Sequence, residues 1–309
     1  MSVDRGYLVA RMLTICALVI LPALALNPSS GPTFGAVSSP DKDATSLPFD
    51  QANNLIVITA TLNGKGPFRF VLDAGASLHF MSPELAQSLG LRVEGNATVD
   101  TGLPAQTTAG IVRVSDLRLG DFTLKKQTFA IAPLPASYPF QGFIGAEVFK
   151  RFVVRIDFRQ SQVVLIRREA FRYQGAGISV PIKLGAGLLP QVQAEVDDQV
   201  GWFKIDTGYN GALALFGEFI EQHNLLAKYP SEKSSPGGLT LTGEVGETPV
   251  AQIHRFKLGE LALDNLETSF FIKKGGSNSA FAGAIGTPAL KGFDVIFDYH
   301  GSRVILEKR

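Results

Sequence analysis

The sequence predicts a mainly β chain folded as two homologous lobes. Three observations predict it: the chain beyond its N-terminal segment is written twice, its apolar residues mostly alternate between turn signals, and helix signals are few. With 309 residues, 45% of them hydrophobic and 18% charged, the chain is long enough to bury two cores.

Taken in order, the N-terminus is different in kind from the rest. Arg5 and Arg11 precede an uncharged run over 12–26 that closes on Ala23-Leu24-Ala25, which reads as a secretory signal peptide spanning 1–25. The run is about 15 residues, short of the roughly 20 that cross a bilayer as a helix, so cleavage is expected in preference to an uncleaved membrane anchor. The expected destination is export, to a periplasm or the extracellular space. Cleavage would remove Cys16, the single cysteine, so no disulfide is expected. Residues 26–48 are rich in Ser, Pro, Gly and Asp and read as a flexible spacer.

Three anchors establish the repeat. Phe70-Val71-Leu72-Asp73-Ala74-Gly75 matches Phe203-Lys204-Ile205-Asp206-Thr207-Gly208, with the aspartates 133 positions apart. Leu117-Arg118-Leu119-Gly120 matches Phe256-Lys257-Leu258-Gly259 at an offset of 139. Gly142-Phe143-Ile144-Gly145, followed by Lys150, Phe152 and Asp157, matches Gly283-Ala284-Ile285-Gly286, Lys291, Phe293 and Asp298 at a constant offset of 141. The slowly growing offset implies small insertions in the second copy. The expected division is a first lobe over 49–168, a linker over 169–177 and a second lobe over 178–309.

Within the first copy, strands over 55–62 and 68–72 flank Asn63-Gly64, whose dipeptide supplies the positive φ of a tight hairpin. Residues 153–158 and 162–166 form a further hairpin. Ser82 is placed to cap a helix that begins at Pro83 and ends at Gly90, and residues 219–225 are its candidate counterpart.

In each copy an apolar strand runs into Asp-x-Gly, and an apolar-apolar-Gly segment follows at a similar distance. With these residues the chain resembles the pepsin-like and retropepsin-like aspartic proteases from about residue 55 to residue 309. The resemblance implies two β-barrel lobes with an active-site cleft between them, Asp73 and Asp206 as paired catalytic carboxylates, and an aspartic endopeptidase activity on a peptide or protein substrate. It implies supporting roles for Gly75, Ser77, Thr207 and Gly208. The family usually has Thr or Ser between Asp and Gly, with a hydroxyl that bonds to the opposite loop; Thr207 fits and Ala74 departs. Tyr209 is also unusual. The segments around 101–110 and 237–246 stand where the family has its substrate-covering hairpins.

The chemistry explains why two carboxyls are required. Peptide hydrolysis needs one group to take a proton from water and another to give one to the carbonyl oxygen. Two carboxyls held together share a proton and divide these roles between them. Glycine after each aspartate lets the two turns approach closely. Two lobes in one chain supply both aspartates, so a monomer suffices. The rival expectation, motivated by Ala74 and Tyr209, is a catalytically impaired protein of the same fold that binds extended peptides or an envelope partner without cleaving them.

Other features carry less. Asp100-Thr101-Gly102 repeats the literal motif but lies off the repeat position, level with the covering hairpin. Asp157 and Asp298 read as structural turn residues. His79, His223, His254 and His300 show no metal-ligand spacing, so no metal is expected and the four read as solvated or loosely packed. No serine-hydrolase elbow or dinucleotide fingerprint is present, and no cofactor is expected. A net charge of +1 without a long basic run speaks against nucleic acid as a partner.

Overall fold

The computed structural model describes residues 18–20, 37–38, 42–100, 106–135, 137–231, 233–235, 239–240, 243–244, 247–274 and 277–308. Most of the expected signal segment and spacer therefore lies outside the described residues.

The first lobe contains strands β1 (Ala44–Ala52), β2 (Leu55–Leu62), β3 (Lys65–Leu72) and β4 (His79–Met81), then helix α1 (Pro83–Ser88). Strands β5 (Gly95–Asp100), β6 (Gln106–Leu119), β7 (Phe122–Ile131) and β8 (Gly142–Ile144) follow, with helix α2 (Glu147–Arg151) and the hairpin β9 (Phe152–Asp157) and β10 (Gln162–Arg167). The second lobe contains β11 (Ile178–Pro181), β12 (Pro190–Val196), β13 (Gln199–Asp206), β14 (Leu213–Phe216), helix α3 (Gly217–Gln222), β15 (Thr248–Leu258), β16 (Leu261–Phe271), β17 (Gly283–Gly286), helix α4 (Thr287–Leu290), β18 (Phe293–Asp298) and β19 (Arg303–Lys308).

Each lobe closes a six-stranded barrel of the same connectivity. In the first, β2 pairs β3, then β8, β4, β7 and β6 follow, and β6 returns to β2. In the second, β12, β13, β17, β14, β16 and β15 follow the same order, and β15 returns to β12. The parallel and antiparallel steps coincide as well: β3 with β8 and β13 with β17 are parallel, as are β4 with β7 and β14 with β16. Closure leaves few bare edges.

A third sheet joins the lobes in the order β1, β10, β9, β18, β19, β11. At its middle, β9 and β18 are antiparallel, with Arg155 opposite Ile296. Those two residues are separated by 141 positions, the offset of the third sequence anchor. A residue paired with its own repeat partner marks a two-fold axis, so the sequence repeat and the symmetry of the molecule coincide there.

Local chemistry matches the expected elements in most places. Ser82 Oγ accepts a hydrogen bond from Leu85 N at 3.2 Å, and Gly90 takes a φ of +69° just beyond α1. Asn63 and Gly64 both have positive φ in the β2–β3 turn. Two expectations need correction. The spacer expected over 26–48 is already strand from Ala44, because Thr45, Leu47 and Phe49 alternate inward while Ser46 and Pro48 face out. The counterpart helix begins at Gly217 rather than residue 219, and Asn224, at φ +49°, separates it from a short turn of helix over Leu225–Lys228.

The 169–177 crossing is not slack chain. Phe171 and Tyr173 pack against Val153, Ile296 and Ile305 of the joining sheet, and Tyr173 Oη accepts from Gly177 N at 2.7 Å. Among the described residues no helix is long and apolar enough to cross a membrane.

Candidate active site

Asp73 and Asp206 stand at the C-terminal ends of equivalent strands, where β3 and β13 leave their barrels. Each turn is tied to the neighbouring apolar-Gly segment: Asp73 N donates to Ile144 O at 2.9 Å, and Asp206 stands opposite Gly286 in the β13–β17 register. Ala146 N donates to Ala76 O at 2.8 Å, and its equivalent Thr287 N donates to Tyr209 O at 3.1 Å. The two Ile-Gly segments therefore brace the two aspartate turns.

The turns meet face to face. A methyl group on Gly75 would lie 2.4 Å from Cγ of Asp206, and one on Gly208 would lie 2.4 Å from Oδ2 of Asp73. Only glycine leaves room for the opposite carboxyl at this distance. Each carboxylate also accepts from its own turn, Asp73 Oδ1 from Gly75 N at 2.8 Å and Asp206 Oδ1 from Gly208 N at 3.1 Å. Both aspartates are fully buried.

Burial drives the Asp73 carboxyl well above the usual carboxylate range, and the charge of Asp206 beside it pushes the same way. The Gly75 amide and the Lys204 ammonium pull in the opposite direction and do not prevail. Among the described residues, no N–H or hydroxyl donor reaches Asp73 Oδ2, and its charged neighbour is the Asp206 carboxyl. One shared proton satisfies both observations.

The hydroxyl bridge expected of the residue after each aspartate is made from one side. Thr207 Oγ1 accepts from Ala74 N at 2.9 Å and donates to Leu72 O at 2.7 Å, reaching into the opposite turn. Ala74 returns nothing of the kind. Thr287 Oγ1 donates to Thr207 O at 3.1 Å and steadies the donor turn from below.

Ser77 and Asn210 are nearly buried in their turns. The carbonyl of Asn210 accepts from Asn54 Nδ2 at 3.1 Å, and Asn54 Oδ1 accepts from Lys291 Nζ at 2.6 Å, which ties the lobes together at the rim of the dyad. Tyr209 is core: its ring packs with Phe216, Phe271 and Phe281, and its hydroxyl donates to Leu213 O at 3.3 Å.

Asp100 is on hairpin strand β5, opposite Gln106, and not in a barrel-mouth turn. Residues 101–105 and most of 236–246 lie outside the described residues, and so do the tips of the two segments expected to cover a substrate. Asp157 and Asp298 are turn residues: they accept from Gln160 N and Gly301 N, each at 2.8 Å, and Asp298 also binds Arg303.

His79 corrects the expectation of solvated histidines. It is buried, its Nδ1 accepts from Gly145 N at 3.0 Å, and its Nε2 lies 3.2 Å from Gln127 Oε1. Burial lowers its pKa to about 4. Sequence reasoning also missed Thr287, Asn54 and Lys204. Thr287 had a signal, since it follows the repeated Ile-Gly; Lys204, a polar residue on a strand, and Asn54, in the turn between β1 and β2, gave none.

Two like barrels joined by a symmetric sheet, with a pair of Asp-x-Gly turns buried at their meeting point, define an aspartic-protease-like molecule. Residues 58–148, within the first lobe, match a family model described as aspartyl protease. Solved structures with similarity to this chain include the crystal structure of basic 7S globulin from soybean, at 12% identity and a TM-score of 0.47, covering 86% of this chain and 95% of that one. No curated protein matches the chain.

Proposed function

We propose that this chain is an aspartic endopeptidase that hydrolyses peptide bonds with water activated between Asp73 and Asp206. The observation that carries the reading is the mutual fit of the turns, in which each glycine leaves the space that the other lobe's carboxyl fills.

The chemistry follows from the shared proton. The ionised carboxylate takes a proton from water as the water oxygen attacks the peptide carbonyl carbon. The protonated carboxyl gives its proton to the carbonyl oxygen, and a neutral tetrahedral diol results. Collapse of the diol breaks the C–N bond, with a proton delivered to the leaving nitrogen. Burial serves this step because a carboxyl that resists ionisation stays available as the acid. The reading includes a monomer with both lobes in one chain and export of the protein.

A second reading, binding of extended peptide without cleavage, draws on the one-sided hydroxyl bridge at Ala74. Digestion of a mixed peptide library from acidic to neutral pH, read by mass spectrometry, separates the two. Cleavage that disappears in the Asp73→Asn, Asp206→Asn double variant supports the endopeptidase. Peptide binding by calorimetry with no fragments at any pH supports the binder and overturns the endopeptidase.

A further inference from the structure

Lys204 is a buried charge that the chemistry above does not use. It stands two residues before Asp206 on β13, so its side chain leaves the strand on the same side as the aspartate, while Phe203 and Ile205 enter the barrel core. The first lobe has Val71 at the equivalent place, inside an apolar cluster with Phe80, Phe140 and Phe143. In the second lobe the corresponding cluster is aromatic, and the Lys204 ammonium lies 5.3 Å from the Phe216 ring centre and 5.8 Å from that of Phe281.

The Lys204 side chain is only 2% exposed, and its ammonium lies 3.9 Å from Asp206 Oδ2 and 3.0 Å from Asn278 Oδ1. An ammonium so placed is tolerated only when paired, and the rings add cation–π attraction. Nothing in the fold demands a cation here, since Val71 serves the equivalent position in the first lobe. Two carboxyls sharing one proton carry a single negative charge, so the trio with Lys204 is neutral.

Resting on the reading of Asp73 and Asp206 as a dyad, we propose that Lys204 is a positioning residue that fixes the shared proton on Asp73 and leaves Asp206 as the base that draws a proton from water. The two lobes are then chemically unequal: Asp73 gives its proton to the substrate carbonyl oxygen, and Asp206 accepts one from water. Among the described residues, the other titratable group that faces the pair is Tyr299, just after β18, a buried phenol on the Asp73 side whose pKa burial drives well above the ordinary tyrosine value. It stays neutral throughout the working range. Lys204 favours each less protonated form of the dyad, so removing it moves both dyad titrations to higher pH.

The test is a titration of the full chain carrying ¹³C-carboxyl aspartate, followed by NMR, for the wild type, Lys204→Met and Lys204→Arg. Lys204→Met is expected to raise both apparent dyad values by about one to three units, the range for losing an opposite charge at this distance, with Lys204→Arg restoring them. Dyad titrations unmoved in Lys204→Met overturn the proposal. If Lys204→Met does not fold, the ¹³Cε signal of Lys204 in the wild type decides. An ammonium maintained through the whole dyad titration supports the assignment, and a neutral amine while the dyad still holds its last proton overturns it. Failure of the underlying reading looks different: Asp73 and Asp206 then titrate independently, whatever stands at 204.

Discussion

The two aspartate turns occupy equivalent places in equivalent barrels, yet they are built unequally. The second turn carries a hydroxyl at both supporting positions, Thr207 after the aspartate and Thr287 after the Ile-Gly segment. The first has Ala74 and Ala146 there, both fully buried. Thr207 supplies the bonds for both sides, holding Ala74 N and Leu72 O from across the axis. The lesson is that a symmetric site can be secured from one half, and that the loss of a motif residue in one repeat is read correctly only against its partner.

The largest effects are expected at the carboxyls. Asp73→Asn and Asp206→Asn should each lower kcat/KM by roughly 10²–10⁴-fold, the range for losing a general acid or base, with folding intact. Equal losses would show that the two unlike turns serve one step. Asp73→Asn carries a second expectation. A carboxyl with a raised folded pKa contributes stability that is present below its unfolded value and is lost as pH rises through the folded value. The neutral amide escapes that loss, so thermal denaturation at neutral pH should show Asp73→Asn more stable than the wild type.

Glycine comes next. Alanine at position 75 or 208 would press on the opposite carboxyl, and displacement of a reacting group by about an ångström costs on the order of a hundredfold in rate. Similar losses from the two variants would show that the close approach is mutual; a loss from one alone would show that only one carboxyl is held against its neighbour.

Smaller effects sharpen the inequality of the turns. Thr207→Ala orphans Ala74 N and Leu72 O and should cost about 1–3 kcal/mol in chemical denaturation. Ala74→Ser adds a hydroxyl to the turn that lacks one. That position is fully buried, so if Thr207 already secures the axis the new hydroxyl is left unpaired and should cost about 1–3 kcal/mol in chemical denaturation.

His79 gives a contrast of a different kind, because it braces the first lobe's Ile-Gly segment and has no histidine counterpart in the second. Its folded pKa of about 4 is depressed from the ordinary value of 6.5, so between those values the unfolded chain binds the extra proton. Stability attributable to His79 is therefore full above the unfolded value and falls as pH drops towards 4, by about 3 kcal/mol in all. Denaturant melts across that window should lose this slope in His79→Gln.

Much of this was legible in the sequence. The repeated Asp-x-Gly and Ile-Gly segments foretold two like lobes, and the constant offset of 141 reappears as the Arg155–Ile296 pair at the axis. What could not be read was whatever depends on residues far away in the sequence. Ala74 looked like a defect because its hydroxyl comes from a residue 133 positions away. Lys204 stood inside a quoted anchor, but a lysine on a strand is ordinarily solvated, and only the fold shows it enclosed by Phe216, Phe281 and Asn278. The strand from Ala44 escaped notice because Pro48 and Ser46 obscured an alternation whose inward members are Thr45, Leu47 and Phe49.

The measurement that tests the central claim most directly is cleavage of a mixed peptide library by the purified wild type and by the Asp73→Asn and Asp206→Asn single variants, with products sequenced by mass spectrometry across acidic to neutral pH. The account predicts internal cleavage by the wild type and its loss in both variants. Cleavage retained in either variant, or absent from a folded wild type at every pH, would contradict a working pair of carboxyls.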